Sequence, residues 1–187
     1  MFENFRLNML NREAATTKNK PLMIIKNLNI QKGDIIGDIG TGGGYFSFEF
    51  SKRVGDNGKV YAIDINQKAL DFIGVKLKKE GINNIKTVLA NENGFHLPEK
   101  VNLLFSRNAF HHMSEPVEYF KNINHFLKDN GKLALIDHKK RGFSFTGIFG
   151  HYTTEQEVID VMSKAGFILS EKFDFLSEQS FMIFKKK

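Results

Sequence analysis

Two periodicities take turns along this chain. Short apolar runs at residues 34–39, 59–64, 84–90, 101–106 and 131–137 read as buried strands. Between them, residues 45–54, 66–80 and 115–128 place apolar side chains at helical spacing. Leu70, Ile73 and Leu77 mark the second helix, and Val117, Phe120, Ile123 and Leu127 mark the third. Asn66 and Ser114 stand where N-caps are needed, and Pro116 falls in a first turn, where its missing N–H is harmless. Gly55 and Gly81 stand where the helices should stop. Strands alternating with helices in this way predict an α/β fold, a parallel sheet covered on both faces.

The pattern changes near the end. Thr154 to Glu157 has the form of a capping box, opening a helix through Val158, Val161, Met162 and Ala165 that Gly166 ends. Two β-rich runs follow, Phe167–Phe175 and Ser180–Lys186, joined by a short polar turn, which predicts an antiparallel hairpin. At the other end, a helix is predicted from Pro21. Residues 1–20 precede it, with Phe2, Phe5, Leu7, Met9 and Leu10 able to dock as an ordinary helix or as a lid. No repeat or linker divides the chain. One domain over 21–187, preceded by an N-terminal helical segment at 1–20, accounts for its 187 residues.

Composition removes several classes of function. With no cysteine there is no disulfide, thiolate metal site or cysteine nucleophile. No stretch of about 18 apolar residues occurs, and polar residues interrupt the N-terminus, so neither a membrane span nor a signal peptide is expected, and the cytoplasm is the default location. The formal charge of +6 invites a nucleic-acid partner. Lys68, Lys76, Lys78 and Lys79 instead fit a solvated helix face, and Lys185, Lys186 and Lys187 crowd the end of the chain. Nucleic acid is therefore disfavoured though open, and no membrane partner is expected.

The chemistry is concentrated in Asp38-Ile39-Gly40-Thr41-Gly42-Gly43-Gly44. Glycines between a strand and a helix let backbone approach a ligand, and the amides at the helix start are donors without partners. The dinucleotide spacing G-x-G-x-x-G fails at Tyr45, which disfavours a nicotinamide dehydrogenase, and no Gly-Lys-Ser/Thr follows to make a P-loop. Asp64 ends the next strand, where a carboxylate can accept both hydroxyls of a ribose; the alternative is a cap on the following helix.

With its acid-x-Gly-x-Gly-x-Gly spacing, this run resembles the first motif of class I S-adenosylmethionine-dependent methyltransferases. The resemblance continues at Val60–Asp64, Ser106–His112 and Gly131–Asp137, in the family's order, and is similar to the small methyltransferase domains of ubiquinone/menaquinone-biosynthesis type. It implies a Rossmann-like, doubly wound, mostly parallel seven-stranded sheet closed by the C-terminal hairpin, with S-adenosyl-L-methionine as cofactor and S-adenosyl-L-homocysteine as product. Gly40, Thr41, Gly42 and Gly44 would meet the cofactor's methionine part. Asp38 would accept from its ammonium group, pin the loop, or do both. Asp64 and Ile65 would hold ribose and adenine, Asn91 and Glu92 the adenine edge, and the Arg107–Asn108 backbone the far side. Asn91 departs from the aspartate usual in relatives. Gly37 departs from their bulky apolar residue, marking either a weakened strand or a close approach. Gly43 occupies a variable position and carries no expected role.

The long loop after the fifth strand implies a substrate pocket. Tyr45, Phe143, Phe149 and Tyr152 would meet a partly apolar or planar acceptor, and Lys139 and Arg141 an anionic group on it. His111, His138 and His151 are candidate bases for an acceptor that must lose a proton; the alternative for the paired His111 and His112 is to hold the loop. No spacing supports a metal site, and none is expected. The expected function is methyl transfer to a small molecule, by a monomer or homodimer. RNA or protein methylation and non-catalytic cofactor binding are the alternatives.

Overall fold

The chain begins with α1 (Phe2–Ala14), a short 3-10 turn (Thr17–Asn19) and α2 (Pro21–Asn27). It then alternates β1 (Ile35–Ile39), α3 (Tyr45–Val54), β2 (Lys59–Asp64), α4 (Gln67–Glu80), β3 (Ile85–Leu89) and β4 (Val101–Arg107). A 3-10 turn (Phe110–His112), α5 (Pro116–Ile123), a second 3-10 turn (Asn124–Phe126), β5 (Leu127–His138), α6 (Glu155–Lys164), β6 (Phe167–Phe173) and β7 (Gln179–Lys186) complete it. These elements come from a computed structural model that describes residues 2–139 and 153–187. The strands lie in the order β3-β2-β1-β4-β5-β7-β6. The first five are parallel, and β7 runs antiparallel to both β5 and β6. The expected sheet and its C-terminal hairpin are both present. Among the described residues, no helix is long and apolar enough to cross a membrane.

Alternating side chains divide the core into two layers. Ile36, Val60, Ala62, Leu103, Phe105, Ala134 and Ile136 face α2, α3 and α4, where Phe46, Phe50 and Ile73 meet them. Their sequence neighbours Ile39, Tyr61, Ile63, Leu104, Leu133 and Leu135 face α5 and α6, where Phe120, Ile123 and Met162 close the other layer. Gly37 belongs to this second face. A Cβ there would stand 2.8 Å from Leu104 Cδ2 and 3.3 Å from Ile63 Cδ1, so the glycine makes room for side chains of both neighbouring strands. That settles its role as packing.

The caps largely follow the sequence. Asn66 accepts from Lys68 N, Thr154 and Glu157 form both halves of the capping box, and Gly55 and Gly81 close their helices at positive φ. The third helix departs from expectation. It ends at Ile123, and its N-cap is Glu115, not Ser114. Leu127, read as its last apolar position, instead starts β5 and pairs with Val101. Leu127 is buried in either conformation, so hydrophobic spacing could not separate the two. The Asn124 side chain, donating to Ala165 O, helps turn the chain at this point.

Candidate active site

Strand order reverses between β1 and β4, and ligands of open α/β sheets bind beyond the strand ends at such a point. The glycine turn lies there. Gly40 and Gly42 have φ of 71° and 53°, conformations that favour glycine. A Cβ on Gly40 would stand 2.7 Å from Ala109 Cβ, so the turn and the end of β4 approach as closely as backbone allows. The amides of Gly40 and Thr41 both donate to Ile63 O, tying the turn to β2. Asp64 completes the link: Oδ2 accepts from Gly42 N at 2.9 Å and Oδ1 from Asn66 N at 2.9 Å. Its carboxylate therefore fixes the loop and the start of α4 while keeping a partly exposed edge on the cavity.

Two cavities flank this turn. The larger, about 480 Å³, lies within the roughly 300–1,000 Å³ usual for small-molecule sites. Gly40, Gly42, Asp64, Ile65, Asn91, Glu92 and Asn108 line it, with Ala90, Met113 and the buried Tyr119. The smaller, about 120 Å³, is bounded by Asp38, Thr41, Tyr45, Arg107 and again Gly40, Gly42 and Asn108. Ile65 is 60% exposed, an apolar side chain left in water beside the larger cavity. Asn91 Oδ1, expected to face a ligand, accepts from Asn93 N at 2.8 Å in a tight turn. Its free acceptor capacity is correspondingly reduced.

Asp38 is almost fully buried and is the endpoint of a hydroxyl chain. Ser47 donates to it at 2.6 Å; because Ser47 has one proton to give, Thr41 is the donor in the 2.8 Å Thr41–Ser47 contact. Asp38 is thus linked to the Thr41 side chain of the loop through the Ser47 hydroxyl of α3. Burial, countered by the Ser47 and Thr41 hydrogen bonds, pushes the Asp38 carboxyl up to about 6. A carboxyl raised on folding stabilises the folded state below its ordinary value of 3.8, and this contribution is lost as pH rises through 6. Asp38→Asn, which cannot ionise, should accordingly gain about 1–2 kcal/mol on the wild type between about pH 5 and 7.5. Thermal unfolding at the two pH values measures this; a constant difference would place the titration elsewhere.

Three expectations about the glycine loop and its surroundings change. Gly44 lies on neither cavity. A Cβ there would meet Phe48 Cε2 and Ile73 Cγ1 at 3.0 Å, so it serves the packing of α3 on α4. Gly43, given no role from sequence, is required by α1: a Cβ would fall 2.4 Å from both Asn11 Oδ1 and Leu7 O. Asn11 donates to Gly43 O at 2.8 Å and accepts from Tyr45 N at 3.1 Å, capping α3 from another helix because Gly44 has no side chain to do so. Lys139 is not left free for an anionic group, since Glu155 on α6 stands 3.6 Å from its ammonium.

Helix α1 forms the outer wall. Arg6 and Leu10 line the larger cavity, and Leu10, Asn11 and Glu13 the smaller. Its anchors are the buried Leu7, the Glu3–Asn66 hydrogen bond at 2.8 Å, the Asn11 contacts, and the Glu13–Arg107 ion pair at 3.1 Å. Leu7 and Leu10 are among the residues expected to dock, whereas Glu3, Asn11 and Glu13 carry no such expectation from sequence. Their partners lie far along the chain, and α1 is apolar on no one continuous face.

At the ends of β4 and β5, Asn108 adopts φ of 57°, its amide donates to Ile136 O, and its Oδ1 accepts from Gln179 Nε2. Asp137 is buried and accepts from His111 N at 3.1 Å and from His138 N at 2.7 Å. It also meets His111 Nδ1 at 2.6 Å. This hydrogen bond raises the His111 pKa above its ordinary 6.5, against the opposing effect of burial. Burial lowers that of His138. The sequence singled out His111 and His138, but it is His112 that lines the larger cavity. Among the described residues no group of His, Asp and Glu is placed to hold a metal ion. Arg141, Phe143, Phe149, His151 and Tyr152 lie outside the described residues.

Known proteins share this fold. Residues 30–183 match the methyltransferase-domain family. The chain is 28% identical over 163 residues to the ubiquinone/menaquinone biosynthesis C-methyltransferase of Haemophilus ducreyi, covering 80% of this chain and 58% of that protein. It is 25% identical over 115 residues to the demethylmenaquinone methyltransferase of Lactobacillus johnsonii, covering 60% and 47%. The chain thus spans about half the length of these curated relatives. Among solved structures, an S-adenosylmethionine-dependent methyltransferase from Aquifex aeolicus superposes with a TM-score of 0.82 at 25% identity, covering 98% of both chains. One from Clostridium acetobutylicum shares the fold, with a TM-score of 0.75 at 12% identity over 93% of this chain and 94% of that one. The two cavities about the glycine turn, with a carboxylate on each, suit a ligand made of a nucleoside and an amino acid. The chain belongs to the methyltransferase-domain family and has the fold of class I S-adenosylmethionine-dependent methyltransferases.

Proposed function

We propose that this chain methylates a small-molecule acceptor that approaches the ends of β4 and β5. The observation that supports this reading is the pair of cavities beneath α1, about 480 and 120 Å³, a size that suits small ligands. Asp64 would accept the ribose hydroxyls with the lone pairs it does not give to Gly42 and Asn66. Ile65 would cover the adenine beside Asn91 and Glu92. Asp38, Thr41 and the Arg107–Asn108 backbone would hold the methionine part in the smaller lobe. When bound, S-adenosylmethionine supplies a methyl group on a cationic sulfur. The protein's own contribution is to orient the acceptor and exclude water, and orientation carries most of such a rate.

Charge supports a small acceptor over nucleic acid. Arg6, Arg107 and Lys139 stand at this end of the sheet, and each faces a carboxylate: Glu3, Glu13 and Glu155. Cations paired in this way have less to offer a phosphate backbone. The relatives named for ubiquinone, menaquinone and demethylmenaquinone favour a planar, quinone-type ring as acceptor. Helix α1, which walls both lobes, would act as a lid that opens for cofactor exchange.

Transfer of radiolabelled methyl from S-adenosylmethionine decides between acceptor classes. Label should enter a small-molecule fraction containing hydroxylated aromatic compounds. Label appearing only in tRNA or in protein would overturn the small-molecule reading.

A further inference from the structure

The end of β5 holds a buried carboxylate that the cofactor site does not use. Asp137 accepts two backbone amides and one imidazole nitrogen, all within 3.1 Å. The amide of His111 and its ring bind the two oxygens of the same carboxylate, so the ring is held in orientation as well as in place. With Nδ1–H donated to Asp137, the ring's lone pair is on Nε2. The His111 side chain is 19% exposed and lies against His112, 4.0 Å between ring centres with the planes inclined at 48°, and His112 lines the larger cavity. A histidine with one nitrogen on a buried carboxylate, partly exposed and beside a residue of the cavity wall, has the makings of a general base with its orienting partner.

We propose that His111 Nε2 is the base of this enzyme, that Asp137 positions it, and that the acceptor carries an ionisable hydroxyl on its reacting ring. This rests on the methyl-transfer reading above. The hydroxyl O–H bond breaks, its proton passes to His111 Nε2, and its electron pair stays on the acceptor oxygen, which becomes the nucleophile or activates the adjoining ring carbon. Asp137 then faces an imidazolium, whose charge it stabilises. The other titratable or charged groups at this end are His138 on β5, His112 in the same turn, Arg107 on β4 and Glu13 on α1.

Two probes of different acidity test the assignment: catechol, neutral near pH 7, and 4-nitrocatechol, largely ionised there. Wild type should methylate both. His111→Gln should lose roughly 10²–10⁴-fold in kcat on catechol, and far less on 4-nitrocatechol, with adenosylhomocysteine affinity unchanged. Because the base must be neutral, the catechol rate should rise as pH passes the His111 pKa. Asp137→Asn should move that limb to lower pH, since the carboxylate is what raises it. Independently of turnover, nitrogen-15 histidine spectra of the adenosylhomocysteine complex should show His111 as the Nδ1–H tautomer. Equal losses on the two probes, an unmoved limb in Asp137→Asn, or the Nε2–H tautomer would overturn the proposal. The Asp137→Asn profile and the spectra carry the decision if His111→Gln is not stably folded. Wild type that binds adenosylhomocysteine but methylates neither probe overturns the hydroxyl acceptor alone; wild type that fails to bind it overturns the methyl-transfer reading underneath.

Discussion

Replacing Asp64 with alanine should weaken adenosylhomocysteine binding by roughly 10²–10⁴-fold while the sheet stays folded. Two hydrogen bonds from ribose hydroxyls to a carboxylate would be lost, each worth about 1.5–3 kcal/mol. The same substitution frees the Gly42 and Asn66 amides, which Asp64 holds at 2.9 Å. The glycine turn would then lose part of its preorganisation, so the upper part of the range is expected. Asp64→Asn separates these contributions, since its amide oxygen can still accept from one backbone amide while the charge is gone. Calorimetric titration measures both variants. Affinity within threefold of wild type in a folded Asp64→Ala would remove this residue from the cofactor site.

Gly43→Val should release α1. The new Cβ would fall 2.4 Å from Asn11 Oδ1 and from the Leu7 carbonyl, and the nearer atoms include backbone that cannot swing away. Displacing the helix costs the burial of Leu7, about 1.5–3 kcal/mol, together with the Asn11 cap on Tyr45 N and the Glu13–Arg107 pair. Overpacking costs a similar 1–3 kcal/mol or so, so neither outcome favours the docked helix. Amide hydrogen exchange should show residues 2–14 losing protection while the strands keep theirs. Cofactor affinity should fall about tenfold if α1 is the lid, because Arg6 and Leu10 leave the cavity wall. Full protection of α1 in the variant would mean that the loop, not the helix, gives way.

Much of this structure could be read in advance because two periods are hard to confuse. Residues 59–64 and 45–54 form elements with the bounds expected from their patterns. The glycine turn and Asp64 were legible because a turn needing positive φ and a carboxylate at a strand end leave local signatures. What was not legible depends on contacts between distant residues. Gly43 looks dispensable until Asn11 and Leu7 are placed against it, and α1 does not announce which face it buries. Leu127 satisfies helix and strand patterns equally. The His111–Asp137 contact joins residues 26 apart. It was nearly within reach: β4 and β5 are parallel neighbours with Arg107 opposite Ile136, which puts the residues just past each strand end side by side.

The central claim is that the space under α1 is an S-adenosylmethionine site. Calorimetric titration of the intact chain with S-adenosylmethionine and S-adenosylhomocysteine, with NADH as control, tests it most directly. Micromolar binding of both sulfur ligands, one per chain, with no heat from NADH, is the predicted result. No binding of either sulfur ligand to the folded protein would contradict the assignment of the site.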